Sequence, residues 1–243
     1  MGDNARAPYG SRSYETVYQY TLQCVEWFFR QGCSLVILAC NTASAKALRT
    51  IQQKDLPIIA PDKRVLGVIR PTTEVIGQFT KTNKVGIVGT NGTIQSGSYP
   101  IEIAKFFPEI KVYQEACPMW VPLVENNEYK NESSNYFIQK HLDNLFQQDS
   151  EIDTLLLGCT HYPLLIEKLK QFTPPNIKIV SQGEIVAKSL EDYLQRHPTI
   201  ANRCLQTGEI EFYTTDDTSD FNNKATLFWG EEIYSKHASL IEN

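Results

Sequence analysis

Two hydrophobic patterns alternate along this chain. One places apolar residues at helical spacing; the other is a short unbroken apolar run, too short for a helix. Residues 13–31, SYETVYQYTLQCVEWFFRQ, predict an amphipathic helix with Ser13 as N-cap, Glu15 in its first turn and Gly32 as its stop. The run SLVILA then predicts a buried strand, TASAKALRTIQQ a helix, VLGVI a short strand and TTEVIGQFT a helix. KVGIVGT (84–90) predicts another buried strand, running into the Gly/Thr-rich loop GTNGTIQSG. SYPIEIAKFF predicts a helix and IKVYQEA a strand. The helix SSNYFIQKHLDNLFQQ follows, with Ser133 or Ser134 as cap. DTLLLG is the next strand, YPLLIEKLKQFT a helix with Pro163 in its first turn, and IKIV a strand. GEIVAKSLEDYLQRH is a helix stopped by Pro198, EIEFYTT a strand, and SDFNNKATLFWG the start of a last helix. Strands alternating with helices predict an α/β fold with parallel sheets.

The pattern nearly repeats. LVILACNTAS (35–44) and LLLGCTHYP (155–163) both carry a buried strand into a cysteine and then into polar residues that open a helix. Each is preceded by a helix. A repeat this long predicts two similar α/β halves and not a solenoid. They are expected as residues 1–66 completed by 184–243, and residues 67–183. The second half opens with a strand, a loop, a helix and another strand before its helix at 133–148. The first half opens directly on GDNARAPYG. The comparison leads us to expect that some thirty residues precede Met1 in a full-length relative, on the usual size of such βαβ units.

Composition narrows the function classes. With 243 residues, 42% hydrophobic and 21% charged, the chain can bury a core along its whole length. A net charge of −5 without a basic stripe argues against nucleic acid as a partner. No stretch approaches the ~20 apolar residues that span a bilayer, and no apolar signal core opens the chain, so no membrane partner and a cytoplasmic location are expected. Six cysteines in a chain of this size predict reduced thiols in preference to a disulfide framework.

Candidate chemistry gathers at the strand ends, where parallel sheets collect ligands. Cys40 and Cys159 are both expected there, each beside a helix N-terminus that lowers a thiol pKa from about 8.5. Asn41, Thr42 and Thr160, with the neighbouring amides, can hold a carboxylate. Two such thiols predict a two-sided site: one removes a proton from a substrate carbon while the other delivers a proton to the opposite face. His161 can move protons at Cys159. Thr90 and Thr93 offer hydroxyls, the backbone at Tyr9 and Gly10 offers amides, and Glu125 is a candidate cleft acid. The competing structural readings are simple: a cysteine after an apolar run is a small core side chain, GTNGT is a tight turn, APYG is a Pro-Gly loop, and Glu125 is a solvated surface acid. Cys24, Cys33, Cys117 and Cys204 lack the polar context and are read as structural. No C-x-x-C or H-x-x-x-H spacing supports zinc, so no metal is expected.

GDNARAPYG, ILACNTASA, VGTNGTIQSGSY, ACPMWVPLVE, LLLGCTHYPLL and the late FYTT together resemble the cofactor-independent aspartate/glutamate racemase superfamily, and within it bacterial glutamate racemases. The resemblance implies two α/β domains with the active site between them. It implies interconversion of L- and D-glutamate by Cys40 and Cys159 without a cofactor, with D-glutamate destined for peptidoglycan. Tyr9, Gly10, Asn41, Thr42, Thr160 and His161 match substrate-contacting and assisting positions, and Thr90, Thr93 and Glu125 match pocket positions. Relatives often form homodimers. The family opens with a strand and an Asp-Ser-Gly turn that this sequence lacks, and SQGE (181–184) stands where relatives often carry an aspartate–serine pair. The chain as it stands is therefore expected to be unstable or nearly inactive. Three alternatives remain at this point: a non-catalytic amino-acid-binding relative, an aspartate racemase, and a thiol hydrolase built on Cys159 and His161.

Overall fold

A computed structural model describes residues 1–205 and 207–240. It is an α/β fold built on parallel sheets, as the alternating pattern predicts. The first helix, α1 (Tyr14–Arg30), starts where expected: the Ser13 hydroxyl accepts a hydrogen bond from the Thr16 amide at 3.1 Å, satisfying one of the donors a helix start leaves free. Val17, Thr21 and Val25 recur every fourth residue on its buried face.

Strand β1 (Leu35–Leu38) pairs in parallel with β2 (Arg64–Gly67), and between them runs α2 (Asn41–Lys46). Further helical turns, Leu48–Thr50 and Leu56–Ile59, extend α2 around a π-helical turn at Ile51–Asp55. Val25, Val36, Leu38, Ala47, Ile51, Leu56 and Val65 form the core of this part. The run VLGVI stops being a strand at Gly67. Val68 donates its amide to the Ser44 hydroxyl, and α3 (Ile69–Thr73) begins at once. The helix expected over 72–80 is therefore shifted toward the N-terminus, followed by a separate 3-10 turn at Ile76–Gln78.

The larger sheet has the order β4-β3-β5-β6, all parallel: β3 (Lys84–Gly89), β4 (Lys111–Ala116), β5 (Thr154–Gly158) and β6 (Lys178–Val180). Its inner strands, β3 and β5, are buried almost throughout and read as near-continuous apolar runs because both faces are covered. Leu155 and Leu157 pack with Trp120, Leu142, Leu145 and Tyr162 on one face. Leu156, one residue out of phase, packs with Ile87, Tyr99, Ile103 and Val180 on the other. The loop expected after β3 is instead α4 (Asn91–Gln95), with Thr90 as its N-cap. Next come α5 (Ser98–Phe106), then α6 (Trp120–Glu125), a helix the sequence pattern does not predict, and α7 (Ser133–Phe146). Ser134 does not cap α7. Its hydroxyl donates to the carbonyls of Tyr129 and Asn131, tying down the preceding turn, and Glu132 holds the cap position.

After β5 the chain makes a 3-10 turn, Tyr162–Leu165, before α8 (Ile166–Phe172); α9 (Gly183–Arg196) follows β6. The C-terminal part contains β7 (Phe212–Thr214), shorter than expected, then α10 (Thr218–Trp229) and β8 (Ser235–His237), a strand with no clear signal in the sequence. The N-terminus joins this part. Gly2 bridges Thr214 in parallel, and the Thr215 hydroxyl donates to Asp3 at 2.8 Å.

Candidate active site

Cys40 is the N-cap residue of α2, two residues beyond the end of β1 at Leu38. Cys159 directly follows Gly158, the last residue of β5. Gly158 has to be glycine: a Cβ there would lie 2.9 Å from the Val88 carbonyl oxygen and 3.2 Å from the Tyr99 ring. A charge on Cys40 would raise the pKa of Cys159. Six cysteines remain as free thiols, Cys40 half-buried and Cys159 buried.

The expected lowering of the thiol pKa is not what the structure shows. Burial dominates. It pushes the Cys40 thiol up, against the opposing pull of the Ala43 and Thr42 amides. It pushes Cys159 up to about 12, against the amides of His161 and Tyr162. The helix-terminal amides do favour the thiolates, but the desolvation of an ion outweighs them.

Cys159 has a side-chain assistant. Its sulfur lies 3.8 Å from His161 Nδ1, and His161 Nε2 lies 2.5 Å from Glu125 Oε1. Glu125 is the last residue of α6, and the contact with His161 holds its carboxyl below the usual range. Phe228 of α10 stands edge-on to the His161 ring at 5.8 Å. The fold thus adds Glu125 to the Cys159–His161 pair that the sequence reading already joined.

The hydroxyls also converge. Thr42 Oγ1 lies 2.8 Å from Thr90 Oγ1 and 3.2 Å from Thr93 Oγ1, and the latter two are 3.1 Å apart. Gly10 sits on this cluster. Its carbonyl accepts from the Gly92 amide at 2.7 Å, and a Cβ on it would meet Thr90 Cβ at 2.7 Å. Lys46 Nζ donates to the Arg12 carbonyl, holding the same loop. Tyr9 gives its hydroxyl to the Asp3 carboxylate, which is also gripped by Arg6 at 2.8 and 2.9 Å. Thr160 is exposed in the turn after Cys159. Asn41 is 2% exposed, and its carboxamide is engaged by Gln182 and Tyr99. Among the described residues no group of three His, Cys, Asp or Glu is placed to hold a metal ion, and no helix is long and apolar enough to cross a membrane.

A strand–thiol–helix plan present twice narrows the choice of family, and the sequence profile of the Asp/Glu/Hydantoin racemase family matches residues 1–190. The chain belongs to this family. Curated relatives include the glutamate racemase of Persephonella marina, 36% identical over 99% of this chain and 86% of its own length, and that of Aquifex aeolicus, 34% identical over 99% and 87%. Among solved structures, a glutamate racemase isoform from Bacillus anthracis superposes with a TM-score of 0.87 at 34% identity, covering 98% of this chain and 86% of that one. A glutamate racemase from Francisella tularensis, solved with D-glutamate, superposes with a TM-score of 0.85 at 29% identity, over 98% and 86% of the two chains.

Within this racemase family member, the sequence reading missed Asp3, Tyr99 and Gln182. Asp3 lies inside the quoted GDNARAPYG motif, and Gln182 two residues beyond the end of β6. Position at a strand's carboxyl end was the signal that could have found Gln182.

Proposed function

We propose that this chain is a glutamate racemase in which Cys40 and Cys159 act as the acid/base pair on opposite faces of the α-carbon. The observation that carries the reading is a pair of thiols, each just beyond the carboxyl end of a parallel strand, in a chain of the Asp/Glu racemase family. In the proposed cycle one thiolate takes the α-proton while the opposite thiol donates its own, so the centre inverts and the two sulfurs exchange states. Running backwards uses the same groups with the roles reversed. Burial raises the pKa of both thiols, so the cycle needs a step that makes the thiolate base. The α-ammonium of the substrate favours a thiolate next to it, and the His161–Glu125 pair can take the Cys159 proton. Negative charge developing at the carboxylate falls near the amides of Thr42, Ala43, His161 and Tyr162 and the Thr42/Thr90/Thr93 hydroxyls, where fixed dipoles stabilise it. Tyr9, Gly10, Asn41 and Thr160 complete the substrate-binding set, with 1–66 plus 184–243 and 67–183 as the two domains that supply it. The reading calls for no cofactor. It assigns the chain to the cytoplasm, making D-glutamate for peptidoglycan.

Circular dichroism of L-glutamate and L-aspartate incubated separately with the protein tests the assignment. Loss of optical rotation with glutamate and little with aspartate is expected; the reverse preference makes it an aspartate racemase, and rotation retained with both makes it a binder without chemistry.

One observation favours a second reading. The Cys159–His161–Glu125 chain has the order of a nucleophile, a base and an orienting acid. A thiol hydrolase would need these three and not Cys40. Ester or amide hydrolysis that survives Cys40→Ser would select it over the racemase.

A further inference from the structure

Beneath the two thiols lies a buried ring of three side chains. Gln182 Nε2 donates to the Tyr99 hydroxyl at 2.9 Å, the Tyr99 hydroxyl donates to Asn41 Oδ1 at 2.6 Å, and Asn41 Nδ2 donates to Gln182 Oε1 at 2.8 Å. Every donor points the same way round. The second Gln182 Nε2 hydrogen has the Val68 carbonyl at 3.1 Å and the Thr72 hydroxyl at 3.0 Å. Gln182, Asn41 and Tyr99 are 8%, 2% and 0% exposed, so no water competes for these bonds. A closed, dry ring of this kind polarises its members and holds one geometry.

Its position gives the ring a use. Asn41 is the residue after Cys40. The Tyr99 ring lies against Gly158, the residue before Cys159. Gln182 comes from the end of β6 and reaches α2, α3 and α5 at once. No other hydrogen-bonded set among the described residues touches the immediate neighbour of each thiol.

We propose that Gln182 is a positioning residue: through Asn41 and Tyr99 it fixes where the Cys40 sulfur stands relative to Cys159. The proposal deepens the racemase reading, because inversion needs both sulfurs in line with one carbon, and a displacement of about 1 Å there can cost on the order of 10²-fold in rate. Gln182 and Tyr99 touch no substrate in this account; they set the gap through Asn41.

Three variants test this. Gln182→Leu keeps the volume and removes the ring; Gln182→Glu keeps the acceptor for Asn41 but loses the donors to Tyr99 and Val68; Tyr99→Phe removes one hydroxyl and leaves the packing. Each is assayed for glutamate turnover. In a separate experiment without substrate, the rates at which iodoacetamide alkylates Cys40 and Cys159 are read individually by mass spectrometry. We expect kcat to fall about tenfold or more with KM changed by less than about threefold, and the Cys40-to-Cys159 alkylation ratio to shift by at least about threefold. If Gln182→Leu does not fold, Tyr99→Phe and Gln182→Glu carry the same expectation. Unchanged kcat and unchanged ratio in the folded variants overturn the proposal, as does a loss of kcat that merely tracks a loss of folded protein. Absence of turnover in the wild-type chain, with a ratio that still responds, would count against the racemase reading and leave the ring's positioning role standing.

Discussion

The two thiol-bearing units share a local plan and differ in how they are supported. Cys159 leaves β5, an inner strand of the four-stranded sheet, with Leu155, Leu156 and Leu157 at most 1% exposed and core packed on both faces. Cys40 leaves β1, which pairs only with β2 among the described residues and carries Ile37 at 38% exposure. Cys159 also has its own imidazole and carboxylate, whereas Cys40 has backbone amides and Thr42. A duplicated motif therefore does not bring duplicated support. One thiol is held by its own sheet; the other depends on contacts from elsewhere in the chain, including Gln182 and the 7–12 loop.

The strongest way to break the comparison is to remove each sulfur in turn. Both Cys40→Ser and Cys159→Ser should lower racemisation by about 10²–10⁴-fold despite their unequal surroundings, because the proposed cycle uses both groups. A chiral assay of product over time measures this, and a fully active Cys40→Ser would make the first unit dispensable. Truncating the supporting strands should give unequal costs. Leu157→Ala opens a cavity in a closed core and should cost about 2–5 kcal/mol, whereas Ile37→Ala should cost less than about 1 kcal/mol. Denaturant midpoints report both, and equal losses would mean that β1 is as tightly enclosed as β5.

A smaller effect separates the thiols by pH. The folded Cys159 pKa is raised from 9.0 to about 12, so the folded state holds a proton that the unfolded state releases. Its contribution is intact below pH 9 and is lost as pH climbs toward about 12. Melting temperature should therefore fall less steeply across that window in Cys159→Ala than in the wild type, and identical slopes would show the thiol to be solvated.

What could be read from the sequence follows the range of the interactions. The buried strands were legible because unbroken apolar runs such as LLLG have few alternatives, and the cysteine pair was legible because each follows such a run. Local capping was legible where the side chain acts within three residues, as at Ser13. It misled at Ser134, whose hydroxyl turns back to two carbonyls. Helix α6 was missed because WVPLVE is short and contains proline. The thiol pKa direction was misjudged because helix ends are visible in a sequence and burial is not. Contacts joining distant segments, such as the threonine cluster and the Gln182 ring, carry no periodic signal; only the fold reveals them.

The central claim is that two sulfurs handle one α-proton from opposite sides. Incubating the protein with L-glutamate in deuterium oxide, and following the α-position by proton NMR together with chiral separation, tests this most directly. The account predicts D-glutamate that carries deuterium at the α-carbon from the earliest time points, while unconverted L-glutamate still retains its proton. An α-proton that survives prolonged incubation, with no D-enantiomer formed, would contradict it.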